Sequence, residues 1–301
     1  MRAPNYSHLD ETVRGEVDLP TAERVALLQT HRFVMHRRVK RLVDEIRFLL
    51  QLPPQTRASG LVVVAPQGSG KTMLAKWIER HYGAQPVMTP DGQRTHPAVG
   101  VSMTQAREAR ALYNRLLDNL GAPASASARY SDRERQLVRI LRAFRTRLLV
   151  VDEIQDILTS SERQQRLALD AIKFLMNELS LPVLALGIDT ASKALRVDKH
   201  LACRFEFRTL PVWTYDDDLS DFLEALEPLI ALKLPSHLNS PTLMKTLVER
   251  SEGVLLKLVK LITHAAIYAV LDGKERIDVS LVLRADEYPP VEIVNLDKGG
   301  A

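Results

Sequence analysis

The 301-residue sequence has little of what marks a secreted or membrane protein. It has one cysteine, Cys203, so an internal disulfide is excluded and a reducing compartment is indicated. It also lacks an N-terminal apolar signal segment and any long uncharged apolar run. We therefore expect a cytoplasmic protein without membrane contact, in which Cys203 packs as a small apolar core residue.

Neither sign of charge dominates the chain. Lysine and arginine number 41 against 37 aspartates and glutamates, which gives a net charge of +4. This mildly basic balance permits a nucleic-acid partner but does not establish one. Apolar residues make up 46% of the sequence, which is enough for a true core, and the length allows one large or two modest domains.

A candidate phosphate-binding loop lies in residues 61–72, which read LVVVAPQGSGKT. An apolar run leads into this loop and helical spacing follows it, which is the context that a phosphate-binding loop requires. In such a loop the backbone N–H groups and the helix N-terminus face the phosphates. Lys71 would contact the β- and γ-phosphates, and the Thr72 hydroxyl would ligate Mg²⁺. The alternative is a chance Gly-Lys-Thr in an ordinary turn.

One position departs from the usual loop pattern, because Ala65 stands where the first glycine of G-x-x-x-x-G-K-[ST] is expected. Alanine has the smallest side chain after glycine, and the pair Gly68 and Gly70 is present. The predicted nucleotide-binding residues of the loop are Ala65, Pro66, Gln67, Gly68, Ser69, Gly70, Lys71, Thr72 and Met73.

A second motif begins with four apolar residues, which are typical of a buried parallel strand. Residues 148–153 read LLVVDE, so Asp152 and Glu153 stand at the carboxyl end of this strand, where open α/β sheets bind ligands. Asp152 would hold Mg²⁺, and Glu153 would orient or deprotonate the attacking water. The alternative is a strand end with a solvated acidic pair.

Two more candidates follow along the chain. The apolar strand at residues 181–187 is followed closely by Asp189 and Thr190, and a polar residue here can lie between the γ-phosphate and the water. Such residues are also common in ordinary turns. Arg204 precedes an alternating last strand, residues 205–210, and is a candidate arginine finger for the site of a neighbouring subunit. A local ion pair is the alternative for Arg204.

Periodicity divides the chain into four parts. These are an arm (1–19), an α/β nucleotide-binding domain (20–211) with N-terminal helices at 20–52, a helical lid (212–286) and a tail (287–301). Lys257 in the lid is a candidate nucleotide contact, with a solvated lysine as the alternative. One face of the first long helix is basic, and it is either a solvated face or a nucleic-acid or nucleotide contact. Its residues are Arg37, Arg38, Lys40 and Arg41.

The order of these motifs resembles the AAA+ ATPase class over about residues 21–285. Within that class the chain resembles the transposon-encoded target-selection ATPases of the TniB/TnsC family. The segments that carry the resemblance are 64–72, 102–123, 152–158, 186–191 and 204–205. The resemblance implies a P-loop AAA+ three-layer αβα sandwich with a parallel sheet, followed by a small all-α lid.

The resemblance also implies a function. Subunits of that family assemble with ATP at their interfaces into rings or helical filaments around duplex DNA. The assembly recruits a DDE-type transposase and a target-site protein, and slow regulatory hydrolysis then dismantles it. The cofactors would be ATP and Mg²⁺, with each motif residue in the role given above.

DNA contacts in such an assembly would be sequence-tolerant and mostly to phosphates. Arg94, Arg107 and Arg110 lie between the first two large strands, where a pore-facing segment would fall. The alternative for each is a solvated surface arginine.

Two other functions stay open. One is an ATP-driven remodeller such as a helicase loader or a secretion-associated ATPase. The other is a scaffold that holds ATP without turnover. Glu153 argues against the scaffold, because a scaffold has no need for a carboxylate at the water position.

Overall fold

The computed structural model describes residues 6–30, 32–53, 57–82, 87–88 and 94–290. Its internal contacts divide the chain into two units. The α/β unit comprises Arg41–Pro211, and the helical unit joins residues 1–40 to residues 212–301. The sequence predicts that the helices at 20–52 belong to the α/β domain. The internal contacts instead assign the chain up to Lys40 to the helical unit.

A five-stranded parallel sheet forms the centre of the α/β unit. The strands of this sheet are β1 (Gly60–Val64), β4 (Ala98–Ser102), β5 (Leu148–Asp152), β6 (Val183–Gly187) and β7 (Phe205–Thr209). A separate antiparallel pair consists of β2 (Val87–Met88) and β3 (Arg94–Thr95). The order in the large sheet is β4-β5-β6-β1-β7. Every residue of β5 and β6 is buried, which requires cover on both faces, as is usual for parallel sheets.

Helices surround this sheet and also build the second unit. In chain order they are α1 (Thr21–Leu28), α2 (Arg37–Gln51), α3 (Lys71–Tyr82), α4 (Ala109–Asn119), α5 (Tyr130–Ala143), α6 (Glu162–Glu178), α7 (Ala191–Arg196), α8 (Lys199–Ala202), α9 (Asp217–Leu226), α10 (Pro241–Ser251), α11 (Leu255–Leu271) and α12 (Val279–Glu287). The predicted α/β class with a parallel sheet and an all-α lid is therefore confirmed. The stretch between β6 and β7 forms two short helices, α7 and α8, because Asp198 caps a new start at α8 by accepting hydrogen bonds from the N–H groups of His200 and Leu201.

The N-terminal segment packs within the helical unit and is not a separate arm over residues 6–19. Leu9, Val13 and Val17 recur at four-residue spacing and are buried together with Ala231. This apolar stripe is short and contains few residues, which is why the sequence pattern did not reveal it. The predicted tail begins inside α12, and its residues 291–301 lie outside the described part of the chain.

Cys203 is exposed, so the prediction that it fills a core position was wrong. It lies in the turn between α8 and β7, where the chain reverses at the surface, and its thiol donates to the carbonyl oxygen of His200 at 3.3 Å. Within the described ranges, no helix is both long and apolar enough to cross a membrane.

Candidate nucleotide site

The loop between β1 and α3 is fixed at its start and turns at its glycines. The Ala65 N–H donates to the carbonyl oxygen of Gly187 at 3.0 Å, which joins the loop to the end of β6. Gly68 and Gly70 have φ values of 75° and 87°, a region that glycine enters without steric cost. Ala65 is fully buried and is not among the residues with positive φ, so alanine fits where the usual pattern has glycine.

Lys71 points back into this loop. Its side chain is buried, and Nζ donates to the carbonyl oxygens of Ala65 and Pro66, each at 2.9 Å. The Ser69 hydroxyl is buried in the same loop with no hydrogen-bond partner among the described residues. A buried polar group without a partner is costly, so an unpaired hydroxyl in the loop that also holds a buried ammonium fits a site for an anion. The donors of this loop would therefore fit a phosphate group.

Thr72 and Asp152 form the second part of the site. Thr72 Oγ1 donates to Asp152 Oδ2 at 2.8 Å, and Asp152 Oδ1 accepts a hydrogen bond from the backbone N–H of Glu153 at 3.0 Å. Asp152 ends β5 and is only 7% exposed. A hydroxyl and a carboxylate are the hard oxygen ligands that Mg²⁺ takes, so these two residues would hold that ion.

Burial disfavours the charged forms of Lys71 and Asp152. Desolvation lowers the pKa of Lys71, and the carboxylates of Glu153, Asp152 and Asp189 oppose this change. Desolvation likewise raises the pKa of Asp152, although the hydrogen bond from Thr72 lowers it. Opposite shifts of this kind concentrate at functional sites, where a bound ligand completes the charge balance.

Glu153 follows Asp152 in an unusual backbone conformation, with φ 53° and ψ 44°. One of its carboxylate oxygens, Oε2, accepts a hydrogen bond from Gln155 Nε2. The sequence analysis assigns no role to Gln155. Its position two residues after Glu153 is the one feature of the sequence that points to a contact between them. Its hydrogen bonds depend on the conformation of the 3₁₀ helix Ile154–Thr159, which periodicity does not predict.

The turn after β6 brings Asp189 and Thr190 to the same edge of the sheet. Gly187, the last residue of β6, pairs with Val64 at the end of β1, so the turn begins beside the phosphate loop. Both side chains are exposed, and the Asp189 carboxylate is close enough to Lys71 to act on its pKa. The structure thus groups the predicted residues of β1, β5 and β6 at one edge.

Arg204 lies at the opposite edge. It precedes β7, and its carbonyl oxygen accepts a hydrogen bond from the N–H of Gly60, the first residue of β1. The two ends of β1 are about 13 Å apart, because a strand rises about 3.3 Å per residue. Arg204 Nη1 donates to Asn177 Oδ1 at 2.7 Å, so its partner is a neutral amide rather than a carboxylate.

The structure does not group the remaining predicted contacts with the residues at the carboxyl ends of β1, β5 and β6. Arg107 and Arg110 are exposed at the start of α4, and only the backbone of Arg94 is described, in β3. Lys257 belongs to the helical unit, where Nζ pairs with Glu252 Oε2 at 2.9 Å.

Two cations of the basic helix face are neutralised by carboxylates within the helical unit. Arg38 pairs with Asp216 and Asp218, and Arg37 pairs with Asp218 and Asp221. The guanidinium of Arg38 also lies over the ring of Trp213, 4.3 Å from its centroid. These two arginines therefore have structural partners, which weakens the interpretation of this face as a DNA contact.

Comparison with known proteins agrees with this geometry. The family described as "TniB: Bacterial TniB protein" matches the chain over residues 24–215. No curated protein matches the chain.

Solved structures share the fold. The ORC2 protein of Aeropyrum pernix, in ADPNP and ADP complexes, has a TM-score of 0.62 at 18% identity, over 87% of this chain and 70% of that chain. The ORC1 protein of the same organism, in complex with DNA, has a TM-score of 0.59 at 18% identity, over 87% and 68%. The RuvB Holliday junction branch migration motor of Thermotoga maritima has a TM-score of 0.51 at 17% identity, over 87% and 72%. The predicted AAA+ fold is therefore confirmed.

We expect Asp152→Asn to raise the melting temperature of the ligand-free protein at neutral pH. Asparagine can accept from the Glu153 N–H through its oxygen and donate to the Thr72 hydroxyl through its NH₂ group, and it removes a charge whose burial is unfavourable. Folding raises the pKa of Asp152, so the folded protein favours the protonated carboxyl group. At neutral pH this group is ionised, and its contribution to stability is lost. The gain should therefore shrink as the pH falls toward the ordinary aspartate value of about 3.9. Differential scanning fluorimetry across pH checks this.

The matched control is Asp118→Asn, which changes an exposed carboxylate on α4 and should shift stability by no more than about 0.5 kcal/mol. In the presence of MgATP, Asp152→Asn should lose most of the stabilisation that the wild type gains. A lower melting temperature for ligand-free Asp152→Asn at pH 7 would contradict the electrostatic account of this site.

Proposed function

The chain belongs to the TniB family, and on this premise we propose that it is an ATP-dependent, DNA-binding regulator of transposition. ATP drives its oligomerisation into a ring or helical filament on duplex DNA. The assembly recruits a DDE-type transposase and a target-site protein, and slow hydrolysis of ATP dismantles it. As an AAA+ family member the chain is an ATPase; its assembly on DNA, its partners and the timing role of hydrolysis are what we propose.

The observation that carries this proposal is the grouping of complementary charges at one edge of the sheet. Lys71 is held within its loop and would balance the charge of the β- and γ-phosphates. Thr72 and Asp152, joined at 2.8 Å, would hold Mg²⁺, which neutralises charge that develops on the phosphates. Glu153 adjoins them and would orient or deprotonate the attacking water. Asp189 or Thr190 would fix the position of that water.

Arg204 supports assembly because of where it lies. The backbone of Arg204 lies at the opposite end of β1 from the phosphate loop, about 13 Å along the strand, which favours a role outside the site of its own subunit. Its guanidinium is partly accessible and, among the residues that the structure describes, donates only to the Asn177 side-chain amide, so it can be redirected at small cost. We propose that it completes the site of a neighbouring subunit, which makes hydrolysis dependent on oligomerisation.

Duplex DNA is the proposed partner of the assembled form. The similar ORC1 structure is a complex with DNA, which supports this partner for the same fold. Arg107 and Arg110 are exposed at the start of α4, and with Arg94 they remain the proposed contacts. Contacts of this kind are made to phosphates, so binding should weaken steeply with salt and depend little on sequence.

Glu153→Gln tests whether hydrolysis acts as a timer. We expect turnover to fall by about 10²- to 10⁴-fold, because glutamine keeps the shape but does not accept the proton of the water. ATP binding should persist, since Lys71 and Thr72 are unchanged. The variant should therefore stay on DNA after ATP is added, whereas the wild type dissociates. The measurements are phosphate release and the anisotropy of a labelled duplex over time.

Glu162→Gln is the control for this experiment, because it alters an exposed carboxylate at the start of α6. Dissociation of Glu153→Gln at the wild-type rate would remove hydrolysis from the disassembly step. Sustained, DNA-stimulated turnover coupled to movement along the duplex would instead identify a motor.

Arg204→Ala tests the contribution of one subunit to the next. We expect turnover to fall by about 10³-fold or more, the usual effect of losing an arginine finger, while ATP binding is retained. An equimolar mixture with Lys71→Ala should recover activity, because a Lys71→Ala subunit can supply Arg204 to a neighbour with an intact loop. About a quarter of random interfaces would be complete in this way.

The control mixture replaces Arg204→Ala with Arg166→Ala, an exposed arginine on α6 whose loss should leave turnover unchanged. If the Arg204→Ala and Lys71→Ala mixture shows no recovery, Arg204 does not act on a neighbouring subunit.

A further inference from the structure

Gln155 joins the Glu153 carboxylate to the end of β6. Its Nε2 donates to Glu153 Oε2, and its Oε1 accepts a hydrogen bond from the backbone N–H of Ile188 at 3.2 Å. The side chain thus bridges β5 and β6 just beyond the ends of both strands. On one side of this bridge is the proposed water-activating residue, and on the other is the turn that carries Asp189.

The partners determine the orientation of the amide. Nε2 also lies 3.4 Å from Asp156 Oδ1, so both neighbours on that side are carboxylates, which when ionised only accept hydrogen bonds. The neighbour on the other side is a backbone N–H, which only donates. A flipped amide would place its oxygen against two carboxylates and its NH₂ group against an N–H. The arrangement in the structure is therefore the one that the surroundings allow.

We propose that Gln155 is a positioning residue for hydrolysis, which holds the Glu153 carboxylate for its water and ties it to the turn at Asp189 and Thr190. This inference rests on the proposed function, in which Glu153 acts on that water. With Oε2 bound by the amide, Oε1 of Glu153 remains for the water. The carboxylate is then fixed before the substrate arrives, and catalysis gains from such preorganisation.

The backbone of Glu153 shows why a restraint is needed. Its φ of 53° lies in the left-handed region, which residues with side chains rarely adopt. Such conformations persist only where surrounding contacts hold them, and they concentrate at active sites. The hydrogen bond from Gln155 is one such contact.

The last residue of β6 provides independent support. A Cβ added at Gly187 would lie 2.5 Å from Gln155 Oε1 and 2.8 Å from the Cβ of Ala191. The four preceding strand residues are valine, leucine and alanine, so glycine here departs from the composition of the strand. The space that a side chain at position 187 would fill is shared by the Gln155 amide, Ala191 and Ile154.

Steady-state ATP turnover tests the inference. For Gln155→Ala we expect kcat to fall by about 10- to 100-fold, with KM within about threefold of the wild type, because the phosphate contacts are unchanged. Gln155→Glu has the same size but places a carboxylate beside Glu153 where a donor stood. It should lower kcat at least as much, because it replaces the donor to Glu153 with a second carboxylate.

Gln165→Ala is the matched control. Gln165 also uses its amide nitrogen to hold the Ile154–Thr159 stretch, through the carbonyl oxygens of Leu158 and Ser160 at 3.3 and 2.8 Å. It makes no hydrogen bond to Glu153, so kcat should stay within about twofold of the wild type.

Gly187→Ala displaces the amide without changing either glutamine or glutamate. It should lower kcat as Gln155→Ala does, and the two changes together should cost less than the product of their separate effects, because they remove the same contact.

The results distinguish failure of the Gln155 positioning role from failure of the proposed function. If the wild type hydrolyses ATP, Glu153→Gln does not, and Gln155→Ala keeps wild-type kcat or exceeds it, the positioning role is overturned. Wild-type activity in Gln155→Glu, or an equal loss in Gln165→Ala, overturns it as well. If the wild type shows no turnover, or Glu153→Gln turns over normally, the proposed function fails and this inference fails with it.

Discussion

The parallel sheet places the carboxyl ends of β1, β5 and β6 at one edge, and the rest of the site depends on that constraint. One element of the site lies at or just beyond the carboxyl end of each of these strands. These elements are the loop with Lys71, the acidic pair at Asp152, and the turn with Asp189. Because neighbouring strands are only about 4.8 Å apart, three distant stretches of sequence meet within reach of one nucleotide.

Buried charges at this edge of the sheet are unfavourable in the absence of a ligand. An ammonium and a carboxylate are buried there, and burial shifts the pKa of Lys71 down and that of Asp152 up. Phosphate and Mg²⁺ would relieve both effects at once, which links occupancy of the site to stability of the α/β unit. In the proposed function, Arg204 at the far edge would extend this dependence to a neighbouring subunit. In this account ATP stabilises the assembly, and its hydrolysis removes that support.

Local motifs were predictable from the sequence, and long-range contacts were not. The loop at Lys71 and the strand ending at Asp152 depend on contiguous residues, so composition and order sufficed. Gln155 depends on the 3₁₀ turn after β5 and on the space left by Gly187, which no periodic pattern encodes. Likewise, the partners of Arg38 lie about 180 residues away in the sequence, so its role as an ion-pair residue became visible only in the fold.

Duplex DNA binding measured by fluorescence anisotropy with ATP, ADP and a non-hydrolysable ATP analogue tests the central claim most directly, with negative-stain imaging of the same samples. The account predicts tight, sequence-tolerant binding with the triphosphates only, together with rings or filaments, and loss of both in Lys71→Ala. An absence of DNA binding in every nucleotide state would contradict it and would leave an AAA+ ATPase that remodels proteins.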